Sequence, residues 1–292
     1  MKVMRKFQPY FALCSLLCLI GLAPRVACAQ DMKPLNVLTY NIRYNNPADS
    51  ENAWPFRKEK VASILRFHDA DVMGLQEVLR TQLDDLTGLL PDYGFVGVGR
   101  EDGKDAGEFA PVFYRKTRFT VVKSATFWLS DNPDSVGSVG WDAALTRICT
   151  WAELADAANA DTFFVFNTHF DHMGGQARRE SAKLILVKID EISAGYPVLL
   201  TGDFNSEAAS EPYRIVTDKL ADTFNTSKTQ HHGPASTFFG FYVSPSNPGE
   251  RIDFIFTNAR VTALRHGTLS ESWQGRYASD HLPVLAEIVL TK

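Results

Sequence analysis

One apolar run that ends abruptly in an acid and an amide constrains this chain more than any other stretch. Pro197-Val198-Leu199-Leu200-Thr201-Gly202-Asp203-Phe204-Asn205 opens with residues suited to a strand covered on both faces, where no polar alternation is needed. A glycine follows, then Asp203 and Asn205, two positions apart. On an extended chain that spacing sends both side chains to one side. A carboxylate and a carboxamide at the mouth of a buried strand must find partners, since burying an unpaired neutral polar group costs roughly 2–7 kcal/mol. A plain strand-end turn explains Gly, Asp and Asn equally well when this stretch is taken alone.

The remaining polar residues decide between these readings, because they recur at the same kind of place. Leu35 to Thr39 forms a strand that delivers Asn41. Ala70 to Leu75 forms another that ends in Gln76-Glu77, and Thr162 to Asn167 leads into His169. Arg251 to Phe256 carries Asp253, and Ser279-Asp280-His281 precedes a final strand over Val284 to Leu290. Further strands are expected at Phe95 to Val98, Ala110 to Tyr114, Phe119 to Leu129 and Arg147 to Leu154, all rich in β-branched or aromatic residues. Helical spacing covers Trp54 to Phe67, Thr81 to Leu90 and Gly174 to about Ala194, with a short helix through Tyr213 and Val216. No repeat, heptad or linker divides the chain, so 30–292 is expected to fold as one domain. Ligand chemistry in α/β folds gathers beyond the strand ends. One site assembled from six separated segments is therefore expected.

The N-terminus is set aside as a signal peptide over residues 1–29. Lys2, Arg5 and Lys6 precede a short apolar run from Phe11 to Ala23, and Ala27-Cys28-Ala29 provides small residues around a cleavage position. The run is shorter than the ~20 residues that span a bilayer. An exported protein, periplasmic or extracellular, is expected. A lipid-anchored form through Cys28 ranks second, since Arg25 stands where such sites usually carry leucine. Cleavage removes four basic and no acidic residues, taking 30 basic against 34 acidic to 26 against 34, a net charge of −8. Binding to long duplex DNA relies on many Lys and Arg neutralising phosphates, so this balance argues against it. Three of the four cysteines leave as well, and Cys149 alone can form no intramolecular disulfide.

The residue types collected at the strand ends define the chemistry. Carboxylates Glu77, Asp203, Asp253 and Asp280, amides Asn41 and Asn205, and imidazoles His169 and His281 include no thiolate cluster, which disfavours structural zinc. Magnesium takes one or two carboxylates together with phosphate oxygens, which Glu77 with Asn41 can supply. A nearby carboxylate can orient and deprotonate water, and carboxylate-paired histidines can stabilise charge on a phosphate. No Gly-rich phosphate loop or Gly-x-Ser-x-Gly elbow is present.

With those residues in view, the chain resembles the endonuclease/exonuclease/phosphatase superfamily, the metal-dependent phosphoesterases related to deoxyribonuclease I. The resemblance runs from about Leu35 to Leu290. It rests on Thr39-Tyr40-Asn41-Ile42-Arg43, Leu75-Gln76-Glu77, Asn167-Thr168-His169, Gly202-Asp203-Phe204-Asn205, Arg251-Ile252-Asp253-Phe254 and Ser279-Asp280-His281, in the family's order. Gly97 to Gly107, Phe127-Trp128-Leu129-Ser130 and His169-Phe170-Asp171-His172 are similar to a secreted bacterial subgroup near the deadenylase-like branch. The resemblance implies a four-layer α/β sandwich of two packed mixed sheets flanked by helices. It further implies Glu77 as main metal ligand with Asn41 and Asp280 nearby, and Asp203 activating water with Asn205 helping to hold it. His281 would contact the phosphate, oriented by Asp280, and His169 would act from the other side with Asp253 as its partner.

Three further residues are candidates for the phosphate. Arg178 begins the long helix, with Arg179 turned to solvent. Arg147 leads its strand and suits a phosphate contact or a structural ion pair. Tyr114 is a core residue by position, and the resemblance adds a place near the phosphate as the alternative. Asp171 and His172 are read as a hydrogen-bonded turn. The expected function is an exported, monomeric, Mg2+- or Mn2+-dependent phosphoesterase cleaving a phosphodiester of a small molecule, lipid head group or sugar. A phosphomonoesterase comes next, then a nuclease, and last a binding protein that has lost catalysis.

Overall fold

Strand β1 (Leu35–Asn41) carries the logic of the whole interior. Its side chains alternate, so Leu35, Val37, Thr39 and Asn41 point one way and Leu38 and Tyr40 the other. Residues 1, 3–4, 33–158, 161–244 and 246–291 are described in this computed structural model. The chain divides into two compact units, Met1–Asp31 and Met32–Lys292, and the second carries everything below. The cleavage position at residues 29 and 30 and Cys28 lie outside the described residues.

After β1 come α1 (Lys58–Phe67), β2 (Val72–Gln76), α2 (Arg80–Leu89), β3 (Tyr93–Val96), β4 (Val112–Arg115), β5 (Phe119–Trp128) and β6 (Ile148–Asp156). The chain continues through β7 (Thr162–His169), α3 (Gly175–Ser193), β8 (Val198–Asp203), α4 (Glu211–Thr217), β9 (Ala221–Asp222) and α5 (Thr223–Thr226). It closes with β10 (Asp253–Thr257), β11 (Val261–Thr268), the short ribbon β12 (Ser272–Trp273) and β13 (Arg276–Tyr277), and β14 (Val284–Leu290). One six-stranded sheet runs β11-β14-β1-β2-β4-β3 and the other β5-β6-β7-β8-β10-β9. The first is covered on its outer face by α1 and α2, through Leu38, Tyr40, Val61, Leu65, Leu83 and Leu86. The second is covered by α3 and α4, through Phe166, Ile185, Ile189, Leu200, Val216 and Phe256. The result is the four-layer α/β sandwich with two mixed sheets facing each other.

The space between the sheets changes character along the strands. At one end Leu35, Val37, Val72, Phe163, Val165, Leu199 and Ile255 form an apolar core. One step further the inward residues are Thr39, Gln76, Asn167 and Thr201, all fully buried. Asn167 Oδ1 accepts from Gln76 Nε2 at 2.7 Å and from Thr201 Oγ1 at 3.1 Å, linking the sheets through neutral polar groups. Gly74 makes this approach possible, because a Cβ there would lie 2.2 Å from Thr201 Oγ1. One step further again stand Asn41, His169, Asp203 and Asp253.

Several elements depart from the sequence-based expectations. The Trp54 to Phe67 helix is interrupted: Trp54–Phe56 is a 3-10 turn, and Arg57 leaves helical geometry at φ −129°. Its buried guanidinium donates to the carbonyls of Ile42, Arg43 and Tyr44, so the first turn is bent to serve the exit of β1. Strand β11 was not expected, because a bulge between Ala263 and Arg265 breaks its alternation. Strand β7 runs on through His169.

Candidate active site

Three adjacent strands place inward residues from one edge of the sheet side by side, the ends of β7 and β8 and the start of β10. His169 on β7 is in register with Asp203 on β8, and Asp203 is in register with Asp253 on β10. Asp203 is 1% exposed and stands at the centre. Its Oδ2 accepts from Asn41 Nδ2 at 2.9 Å, a bond that crosses from the opposite sheet, and its Oδ1 accepts from the Asn205 backbone N–H at 2.9 Å. His169 Nε2 lies 3.4 Å and His281 Nε2 3.7 Å from the same Oδ2.

The two histidines differ in charge. Burial opposes a proton on His281, but Asp253 and Asp203 outweigh it and hold the imidazole well above its ordinary range. Burial, with Arg147 and Arg100 behind it, holds His169 well below that range, so it is neutral. Burial and then the charge of Asp253 push Asp203 up to about 7, opposed by His281 and by the Asn41 and Asn205 hydrogen bonds. The site therefore places one imidazolium and one neutral imidazole on either side of a carboxylate poised near neutrality.

The pairing of the histidines corrects the expectation stated above. Asp253 Oδ2 is 2.9 Å from His281 Nδ1, so Asp253 serves His281 and not His169. The reason is strand order: β8 separates β7 from β10, and Asp253 cannot reach across Asp203 to His169. Asp280, expected to orient His281, instead turns toward Arg43 Nε at 3.9 Å and accepts from Ser279 Oγ at 3.2 Å. His169 is flanked by Asn205, whose Nδ2 is 3.0 Å from Nε2, and by Glu108, whose Oε2 is 3.8 Å from Nδ1. Glu108 escaped sequence reading because it ends a loop already crowded with Glu101, Asp102 and Asp105, where one more acid carries no signal. Arg100 holds it with a 2.7 Å ion pair.

Glu77 needs a backbone irregularity to join this group. Gln76 points inward, so an extended Glu77 would face the helices. Its φ of 60° reverses that direction, at a cost of roughly 1–2 kcal/mol. Oε1 then accepts from Asn41 Nδ2 at 3.1 Å and Oε2 from the Tyr44 backbone N–H at 3.0 Å. Asn205 is likewise left-handed, at φ 45°, so the same-side placement expected from an extended chain arises from a turn.

The remaining candidates separate cleanly. Arg147 lies beside His169 but is bound to Asp171 Oδ2 at 3.3 Å and to His172 Nδ1 at 3.1 Å. Arg178 Nη1 donates to the Asp171 carbonyl at 2.9 Å and braces the turn into α3. Asp171 accepts the backbone N–H groups of Ala144, Leu145, Met173 and Gly174, the hydrogen-bonded turn that was expected. Tyr114 is not at the site. Antiparallel pairing places it opposite Val72 at the start of β2, whereas the site lies beyond the end of that strand.

Two sets of atoms can hold a cation. Glu77, Asn41 and Asp280 offer only oxygen ligands, a donor set that suits a hard divalent ion. Burial raises the proton affinity of Asp280, with His281 and Arg43 opposing the rise and the charge of Glu77 adding to it. Asp203, Asp253 and His281 also bring ligand atoms within 4.8 Å of one another. Asp253 and Asp203 favour the charged form of His281, and an imidazolium is a poor metal ligand, which favours the first set.

The family model of the Endonuclease/Exonuclease/phosphatase family matches residues 38–281. An endonuclease/exonuclease/phosphatase from Bacteroides vulgatus is 45% identical, with a TM-score of 0.85, covering 88% of this chain and 99% of that one. A mannosyl-6-phosphatase from Bacteroides thetaiotaomicron is 37% identical, with a TM-score of 0.84, covering 88% of this chain and 100% of that one. An uncharacterized protein of Acanthamoeba polyphaga mimivirus is 23% identical over 89% of this chain. The chain spans less than half the length of the curated relatives it matches. No helix among the described residues is long and apolar enough to cross a membrane.

Proposed function

The chain belongs to the endonuclease/exonuclease/phosphatase family, and from that membership we propose that it is an exported phosphoesterase that hydrolyses a small phosphate monoester of the sugar-phosphate class. The observation that carries the reading is Asp203, a nearly neutral-poised carboxylate held between a charged and an uncharged imidazole and tied to both sheets. The likeness to a mannosyl-6-phosphatase over 88% of this chain favours a monoester over the diester first expected.

Enzymes of this family depend on divalent metal, and Glu77, Asn41 and Asp280, grouped by the Asn41–Glu77 hydrogen bond and their shared neighbour Arg43, are the residues that would hold it, with Mg2+ or Mn2+ the ions their oxygens suit. When bound, such an ion supplies Lewis-acid stabilisation of a phosphoryl oxygen. The protein's own groups supply the rest. Asp203 Oδ2 takes a proton from the attacking water, and its raised pKa brings its basicity toward working pH. Asn41 and Asn205 fix that carboxylate so that no reorganisation is needed during attack. His281, kept charged by Asp253, donates from Nε2 to the phosphate and stabilises charge as it develops. His169 remains neutral and, with Asn205, forms the opposite wall.

The test is a panel of hexose phosphates, glycerol phosphate, small phosphodiesters and DNA, run with Mg2+, with Mn2+ and with EDTA. Release of inorganic phosphate from hexose phosphates, abolished by EDTA, is expected. Undiminished turnover in EDTA overturns the metal assignment, and faster cleavage of diesters than monoesters overturns the substrate class.

A further inference from the structure

We infer that the leaving group occupies the cleft of about 340 Å³ lined by Phe238, Phe239, Gly240, Asn247, Gly249 and Glu250, and that this cleft takes a neutral polyhydroxylated ring, a hexose. The inference rests on the sugar-phosphate reading above and assigns the place where the sugar group binds. The cleft is built into the catalytic wall. The ring of Phe238 lies 4.9 Å from the ring of His281, and its backbone bridges His281 on one side and Glu250 on the other. Leu282 N–H donates to the Thr237 carbonyl at 2.6 Å, and the Phe239 and Gly240 N–H groups donate to the Asp280 carbonyl at 3.1 and 3.0 Å. A phosphate held by His281 therefore projects its ester group beside Phe238.

The chemistry of the lining selects the ligand. Phe238 is 36% exposed and belongs to none of the apolar cores; its ring packs on His281 and is otherwise open to the cleft. Glu250 is exposed and has no side-chain hydrogen-bond or ion-pair partner among the described residues. Asn247 is committed to the loop, donating to the Phe239 carbonyl at 2.7 Å and accepting from Gly249 N–H at 3.0 Å. Gly249, at φ 64°, passes where a Cβ would stand 2.7 Å from the Phe239 ring, so the cleft depends on a glycine there. An aromatic face with a free carboxylate at its edge matches a sugar ring. The C–H face of the ring lies on the apolar surface and its hydroxyls donate to the carboxylate. A nucleotide leaving group would bring further phosphate charge against Glu250, whereas a hexose brings none.

The discriminating experiment measures kcat and KM on mannose 6-phosphate and on glycerol 3-phosphate, which shares the ester but lacks the ring. The enzymes are wild type, Phe238→Ala, Phe238→Tyr and Glu250→Gln, with melting temperatures recorded beside them. Phe238→Ala should lower the hexose-to-glycerol ratio of kcat/KM about five- to tenfold, mainly through KM, and Phe238→Tyr should restore it. Glu250→Gln should shift the ratio the same way by a smaller factor. Equal losses on both substrates would mean that Phe238 only positions His281, and would overturn the inference. If wild type hydrolyses neither ester, the functional reading fails first, and the cleft is judged by saturation-transfer NMR with free mannose. A signal in wild type that is lost in Phe238→Ala keeps the hexose site; no signal in wild type removes it.

Discussion

Asp203 combines two properties that oppose each other: burial, which disfavours its charge, and a catalytic role that requires it. Asp203→Asn should therefore lower turnover about 10²- to 10⁴-fold while the melting temperature holds or rises. Early melting with full specific activity would make Asp203 structural instead. A second residue-level outcome tests the corrected pairing. Asp253 holds the proton on His281, so Asp253→Asn and His281→Ala disable the same unit and the double variant should be little slower than the worse single one. Multiplying effects in kcat would return Asp253 to an independent role.

Among elements, β2 does most to couple the site to the scaffold. Its inward residues run Val72, Gly74, Gln76, from the apolar core into the polar layer beneath the site, and the left-handed conformation of the next residue turns Glu77 toward the site. The close approach at Gly74 is what lets Asn167 and Thr201 bond across the sheets. Gly74→Ala should cost about 1–3 kcal/mol in denaturant unfolding, because the added methyl meets Thr201 and Asn167 at 2.2 and 2.5 Å. An unchanged unfolding midpoint would show that the polar layer can open without cost.

For the molecule as a whole, charge sets which substrates approach. With 34 acidic residues against 30 basic ones over the full chain, few cations are available to replace counterions on a duplex. Duplex DNA should bind weakly, with a shallow dependence of affinity on salt, measurable by fluorescence anisotropy between 50 and 200 mM salt, a range typical for such titrations. Tight binding with a steep slope would favour a nuclease.

Much of this protein was legible in one dimension. The strands that end in Asn41, Glu77, His169 and Asp203 announced themselves because a doubly covered strand must be apolar until it leaves the core, so a polar residue marks its exit. With the layered architecture coming from the family resemblance, that rule located the site's residues. It could not assign partners. Whether Asp253 meets His281 or His169 depends on β8 lying between β7 and β10, and strand order is a property of the folded sheet. Tyr114 packs against the apolar core, as its position suggested, because antiparallel pairing with β2 carries it away from the site. Glu108 reached His169, and Phe238 reached His281, through loops whose length and composition leave their direction open. Local sequence determines where a chain leaves the core, through burial and periodicity. Only tertiary packing decides which of those exits face one another, because side-chain contacts of 3 to 4 Å depend on the registry of segments far apart in the chain.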